Sequence, residues 1–183
     1  MNLTPIEKAE WTKFANDFTK EVERVAIRDI YVGFKLATVT FDWSPKRRSS
    51  RGGYYSDGPG INIAMKHLCK ENHGEIYRIF EYKSFDSDPD IGGFYTKRKH
   101  DRLKMVIVHE VAHALQYYCY KINNFRCKPH GPTWKNLYKR LRWEFINPYF
   151  ENQPAMKQDY EAYIKKLTSN TKKDSLFERA ASK

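Results

Sequence analysis

A chain of 183 residues with 40% hydrophobic and 30% charged side chains has room for one self-sufficient core, and reads as a single soluble globular domain rather than a disordered or fibrous chain. No apolar run approaches the length of a membrane span, and the polar N-terminus lacks the hydrophobic stretch of a secretory leader. The net charge of +11 points to a polyanion such as nucleic acid without speaking to fold. Three cysteines, Cys69, Cys119 and Cys127, form no even disulfide framework and suit a reducing cytoplasm.

Thr4-Pro5-Ile6-Glu7 has the chemistry of a capping box, with Thr4 as N-cap, Pro5 at the first helical position and Glu7 three residues past the cap. Trp11, Phe14, Phe18, Val22 and Val25 then recur at helical spacing, which predicts a first helix running to about Ala26 with its aromatic stripe in the core. Residues 30–43 are β-rich, with Val39, Phe41 and Trp43 alternating with polar residues until Ser44-Pro45 ends the run. Gly52 to Ser56 and Gly60 to Ala64 flank the turn signal Asp57-Gly58-Pro59, which predicts a hairpin and an antiparallel sheet of about three strands.

Residues 70–95 are ambiguous: Glu75 to Lys83 fits a strand or a short helix, and Asp86-Ser87-Asp88-Pro89-Asp90 reads as a solvated loop, since it lacks the calcium-loop pattern and its closing Glu. Met105 to Leu115 is a largely apolar run without Gly or Pro, as a buried helix reads, and the helix is predicted from near Asp101 to about Asn123. Lys121 to Pro129 is a loop, and Gly131-Pro132-Thr133 opens a further helix with Trp134, Leu137, Tyr138 and Leu141 on one face, ending by Pro148 and Pro154. Asp159 to Leu167 reads as a last amphipathic helix. Residues 1–168 form the single expected domain, and 169–183 a polar tail expected to be mobile.

The buried helix carries His109-Glu110-Val111-Ala112-His113, and His130-Gly131 follows seventeen residues later. Histidines four apart share a helix face and can hold one metal ion between them, and a third imidazole from His130 leaves one position open, as in a catalytic zinc site. Glu110 is then placed to take a proton from water activated at that position. Two other ligand sets stay open at this level. Cys127, three residues before His130, has the spacing of a structural zinc site and would replace or join that histidine, and Glu144 would complete a His-His-Glu set. Tyr117, one turn past His113, is equally a candidate oxyanion donor and a core residue. His67, His73 and His100 lack partner spacing and read as surface histidines.

Basic residues are clustered. Lys46, Arg47, Arg48 and Arg51 lie at the hairpin, Lys97, Arg98, Lys99, Arg102 and Lys104 lead into the metal helix, and seven Lys/Arg without an acid fall between Ala114 and Trp143. These predict a positive rim that contacts nucleic acid, with Tyr54, Tyr55, Tyr117, Tyr118 and Tyr120 available to stack on single-stranded bases.

HEVAH followed by HGPTW resembles the SprT-like (Spartan-type) zinc metalloproteases, whose pattern is HExxH, a spacer, His-Gly and a nearby aromatic. Trp134 follows His130 by four residues, one more than in the tightest form of that pattern. Arg47 to Tyr55 resembles the family's basic, Gly-containing hairpin, and Ile61-Asn62-Ile63-Ala64 its Ile-x-Leu-Asn strand, with Ala64 in place of the Asn. Residues 70–95 resemble an insertion, and the sequence carries no Cys-rich zinc ribbon of the kind that follows the protease domain in many relatives. The resemblance implies an α+β fold, with a small antiparallel sheet packed on a zincin-like HExxH helix and helices before and after. It also implies zinc as cofactor and peptide hydrolysis of proteins bound or crosslinked to DNA, single-stranded or distorted. The expectation is a monomeric, cytoplasmic metalloendopeptidase with no membrane partner, nucleoid-associated in a bacterium or in the host cytoplasm for a bacteriophage. Against it stand a nucleic-acid-binding protein with structural zinc, and a zinc protease with a dedicated protein substrate.

Overall fold

The computed structural model describes residues 3–69, 75–123 and 128–146, with a few positions between 153 and 165. The expected tail, most of the last predicted helix and Cys127 lie outside these residues. Helix α1 (Pro5–Asp29) starts as its capping box dictates: the Thr4 hydroxyl accepts from the Glu7 N–H while the Glu7 carboxylate accepts from the Thr4 N–H. It runs three residues past the expected end and buries Trp11, Ala15, Val22, Val25 and Ala26.

The first sheet contains β1 (Thr38–Asp42), β2 (Arg51–Tyr55) and β3 (Gly58–Ala64) in the order β1-β3-β2. β2 and β3 form the expected hairpin around Ser56-Asp57, and Gly58 takes a backbone angle of φ +128° that an L side chain rarely tolerates. The sheet is nevertheless mixed rather than antiparallel, because β1 pairs parallel to β3, with Thr38 opposite Gly60 and Asp42 opposite Ala64. The segment 43–50 carries the chain past β3 to its far side, so β1 and β2 flank β3 and only the hairpin partner reverses direction. β1 is also shorter than the β-rich stretch predicted. Residues 30–37 make turns whose polar groups are satisfied elsewhere, as when the Leu36 N–H donates to Glu23 (2.5 Å) and the Tyr118 hydroxyl to the Gly33 carbonyl (2.6 Å).

Central β3 is the buried strand, with Ile61 and Ile63 fully enclosed beneath helix α2 (Asp101–Asn123). α1 covers the core from another side and is tied to the end of β1 where the Trp43 indole N–H donates to Thr12 Oγ1 (3.0 Å). Helix α3 (Pro132–Phe145) buries the four predicted residues Trp134, Leu137, Tyr138 and Leu141. No helix among the described residues is long and apolar enough to cross a membrane.

Residues 75–96 add a second sheet, in which β4 (Tyr77–Ile79) pairs antiparallel with β5 (Phe94–Thr96) and packs Ile79 and Phe94 on Met105 and Ile146. The acidic loop between them is not the solvated loop the sequence implied. Asp86 pairs with Arg78 (2.5 Å), Asp88 accepts the Asp90 and Ile91 N–H groups, and Lys139 of α3 binds Asp90 (2.6 Å). Arg142, fully buried, donates to the Gly92 carbonyl (2.6 Å), so the loop is fastened along α3.

Edge strand β2 lies directly on α2. A Cβ added at Gly52 would drive into the Glu110 carbonyl oxygen, whereas one added at Gly53 would meet nothing. Gly52→Ala should therefore cost about 1–3 kcal/mol of stability, the range for forced overpacking, and Gly53→Ala should be close to neutral. Paired denaturant titrations of the two variants measure the difference.

Candidate metal centre

Within α2, positions 105–115 are almost entirely buried, and the polar residues His109, Glu110 and His113 keep only 7%, 8% and 8% of their surface. Burying two imidazoles and a carboxylate on an apolar helix costs free energy unless each has a partner, so their surroundings decide what they do. His130 supplies the third imidazole. It sits in a tight turn where the Gly131 N–H bonds the Lys128 carbonyl (3.0 Å), and its backbone is left-handed, φ +57°. That conformation is uncommon outside glycine, with His among the side chains that enter it more readily, and it presents the ring toward α2. Gln116 of α2 donates to the same Lys128 carbonyl (2.9 Å) and ties the turn to the helix. Pro132 then opens α3 at a position that needs no N–H.

The result is convergence. His130 Nε2 lies 2.9 Å from His113 Nε2 and 3.3 Å from His109 Nε2, and one ligand atom from each of the three falls within a 4.8 Å spread. Trp134, fully buried, lies beneath them, with its ring 4.7, 5.2 and 4.6 Å from those of His109, His113 and His130. Nitrogens bound tetrahedrally to zinc at about 2.0–2.1 Å stand about 3.3 Å apart, which matches this spacing. Three neutral imidazoles also leave a position open. The residues present therefore fit a catalytic zinc ion, and no other histidine or cysteine among the described residues joins them.

A partner the sequence did not reveal completes the arrangement. Glu81, from the segment that resembles an insertion, accepts from His109 Nδ1 (3.0 Å) and from the buried Tyr138 hydroxyl (2.5 Å). With Nδ1 holding the proton against a carboxylate, Nε2 keeps its lone pair for the metal, and the ring is fixed in direction. No spacing rule links Glu81 to a histidine 28 positions away; the two meet because β4 and β5 fold the segment against α2 and α3.

Burial pulls the His109 pKa down, but the Glu81 hydrogen bond and charge, with Glu110, more than offset it and leave it above the ordinary value. Burial, helped by the two neighbouring imidazoles, pushes His113 down to about 3, and burial together with His109 lowers His130. Burial also raises Glu110, against the opposing pull of His109 and of the Gly52 N–H bonded to its carboxylate, while Glu81 adds to the rise. A carboxylate lifted in this way is better matched to accepting a proton near neutral pH.

Glu110 and His109 open into a cleft of about 460 Å³ rimmed by Arg48, Arg78 and Arg102 and floored by Leu68, Ile79 and Met105. Of the predicted basic residues, Arg48 and Arg102 reach this cleft, while Lys46 and Arg51 stay exposed on the hairpin side. Arg98 is drawn into Asp101 (2.9 Å), Lys99 lies over the Trp11 ring, and Lys97 faces Asp159 at 4.0 Å. Glu144 is not a ligand: it is exposed and pairs with Arg28 at 3.0 Å. His67 is exposed at the cleft, as a surface histidine would be, whereas His100 packs on Phe14 (3.9 Å) and Trp11 (4.6 Å). His73 lies outside the described residues.

The SprT-like family model matches residues 93–158, a stretch that contains the three histidines and Glu110, so this part of the chain is similar to that family, in line with the resemblance. No curated protein and no solved structure matches the chain.

Glu81→Gln should weaken zinc binding about 10- to 100-fold at neutral pH while leaving the fold intact, the range for removing such an outer partner; chelator competition measures it. A second outcome follows from the raised His109 pKa. Zinc must displace the proton that His109 gains in acid. As the pH is lowered, affinity should therefore begin to fall while still above pH ~6.5, the ordinary histidine value, and drop about tenfold for each further unit of acidification. Glu81→Gln removes the cause of the rise and should shift the onset to lower pH. His130→Ala should lose the metal, whereas Cys127→Ser should keep it.

Proposed function

We propose that the protein is a zinc-dependent endopeptidase acting on DNA-associated or DNA-crosslinked proteins. The observation that carries the peptidase reading is the convergence of three imidazoles beside a buried carboxylate, at a cleft whose wall includes Ser49 and Ser50, just before edge strand β2. Zinc held by His109, His113 and His130 would polarise the scissile carbonyl and lower the pKa of water to about 7. The chain's own residues do the rest. Glu81 fixes the His109 ring, Glu110 takes a proton from the attacking water and passes it to the leaving amine, and the Gly52 N–H keeps the Glu110 carboxylate aimed into the cleft. The free edge of β2 offers backbone groups along which an extended substrate can lie as an added strand.

A purely structural zinc would have no use for a buried, proton-accepting carboxylate at the ligands and would close its fourth position. The DNA arm of the reading is supported by the net charge of +11, by the hairpin cluster and by the arginines on the cleft rim. A dedicated protein substrate independent of DNA is the competing reading.

Glu110→Gln should retain one zinc per chain and its melting temperature yet lose peptide hydrolysis by several orders of magnitude; hydrolysis at a comparable rate would remove Glu110 from the chemistry. Neutralising Lys46, Arg47, Arg48 and Arg51 together should weaken single-stranded DNA binding and flatten its salt dependence by about 0.7–0.9 for each phosphate no longer neutralised. It should also slow cleavage of a DNA-bound protein more than that of a free one. Equal cleavage with and without DNA, before and after neutralisation, would leave the dedicated-substrate protease.

A further inference from the structure

Peptide hydrolysis passes through a tetrahedral species whose carbonyl oxygen becomes negative, and a hydrogen-bond donor fixed beside that oxygen lowers the barrier. Apart from the arginines on its rim and His67, the cleft wall supplies few donors. Of the hydroxyl side chains lining it, Ser49 is exposed in the loop before β2, and Ser50 is held by the Ala64 N–H (3.0 Å). Other tyrosines donate elsewhere: Tyr138, against the His109 ring, to Glu81, Tyr77 to the Arg98 carbonyl (2.7 Å) and Tyr118 to the Gly33 carbonyl.

Tyr82 differs. It follows Glu81 directly, so the hydrogen bond that orients His109 also anchors its backbone beside the metal centre. Its ring centre lies 4.9 Å from that of His130 and 6.0 Å from that of His109, and Phe85 braces its edge at 5.4 Å. It lines the same cleft as Glu110 and keeps 43% of its surface accessible, and its hydroxyl makes no hydrogen bond among the described residues. A phenol hydroxyl carries its proton at neutral pH and can donate a hydrogen bond.

We propose that Tyr82 is a catalytic residue of the peptidase, its hydroxyl donating a hydrogen bond to the oxyanion that develops on the scissile carbonyl. The inference rests on the peptidase reading above. In the step, the water oxygen bonds to the carbonyl carbon, its proton goes to Glu110, and the C–N bond then breaks with that proton delivered to the nitrogen. Tyr82 keeps its own proton throughout and stabilises charge only.

The test is Tyr82→Phe, which preserves the ring packing against His130 and Phe85. Removing one oxyanion donor lowers kcat by roughly 10²–10³, with KM for an unstructured protein or peptide changed less than about threefold and zinc stoichiometry and affinity unchanged. A phosphinate peptide, a tetrahedral mimic, should bind the zinc-loaded variant weaker by a comparable factor, while an uncleaved substrate peptide should bind Glu110→Gln and Glu110→Gln/Tyr82→Phe equally. A ring that merely braced His130 would show the opposite pattern, with altered zinc affinity and no selective weakening of phosphinate binding. If the parent protein cleaves and Tyr82→Phe keeps kcat within about threefold, Tyr82 is not the donor. If the parent protein with one zinc per chain cleaves nothing, the peptidase reading falls, and the role of Tyr82 with it.

Discussion

His130 Nε2 stands 2.9 Å from His113 Nε2 and 3.3 Å from His109 Nε2, and since a neutral ring carries one N–H, that nitrogen can donate to at most one of the two, leaving the other lone pair without a proton unless a positive charge is added. A cation among them removes the conflict. Much of the molecule is arranged to hold the rings in this otherwise unfavourable place: α2 sets two of them on one face, a left-handed residue turns the third back, and Trp134 closes the space beneath. Burial and the left-handed backbone, about 1–3 kcal/mol for such a residue, are costs that an ion held here would offset. Any ion bound by the three rings would favour the folded chain, because the unfolded one has no such site.

The supports come from parts of the chain that do not neighbour one another in sequence. β2 fits against the Glu110 backbone only because Gly52 lacks a side chain. The β4–β5 segment brings Glu81 to His109, and α3 contributes Trp134 and the Tyr138 hydroxyl that holds Glu81 in turn. The Glu110 carboxylate is bound from β2 while its helix neighbour His109 is bound from the β4–β5 segment. The proton acceptor and the first ligand are therefore oriented independently, although one helix carries both.

The histidine set and the helix that bears it were legible in the sequence because their information is local. Spacing of four, an apolar run without breakers and a proline-opened α3 each operate within a few residues, and the bounds of α2 agree with the run that predicts it. The Thr4–Glu7 box and the Asp57-Gly58-Pro59 turn were legible for the same reason. What escaped was set by packing between distant segments: the parallel pairing of β1, the clasp of Glu81 on His109, the place of Tyr82, and the fastening of the acidic loop by Lys139 and Arg142. Charge clusters were legible as clusters, but the fold draws Arg98 and Lys99 into Asp101 and Trp11, brings Arg102 of the same cluster to the cleft, and adds Arg78, which sequence reading passed over.

The position of Glu81 bears on how far this chain can be cut down. The stretch that matches the family model, residues 93–158, carries the three convergent imidazoles and Glu110, so a minimal fragment drawn around it would look self-contained. It would nonetheless lack the carboxylate that orients His109, the glycine strand that binds Glu110, and much of the cleft wall. Such a fragment would keep the imidazoles without the groups that fix their direction. The residues that look most dispensable by comparison are, in this architecture, the ones that set the geometry of the site.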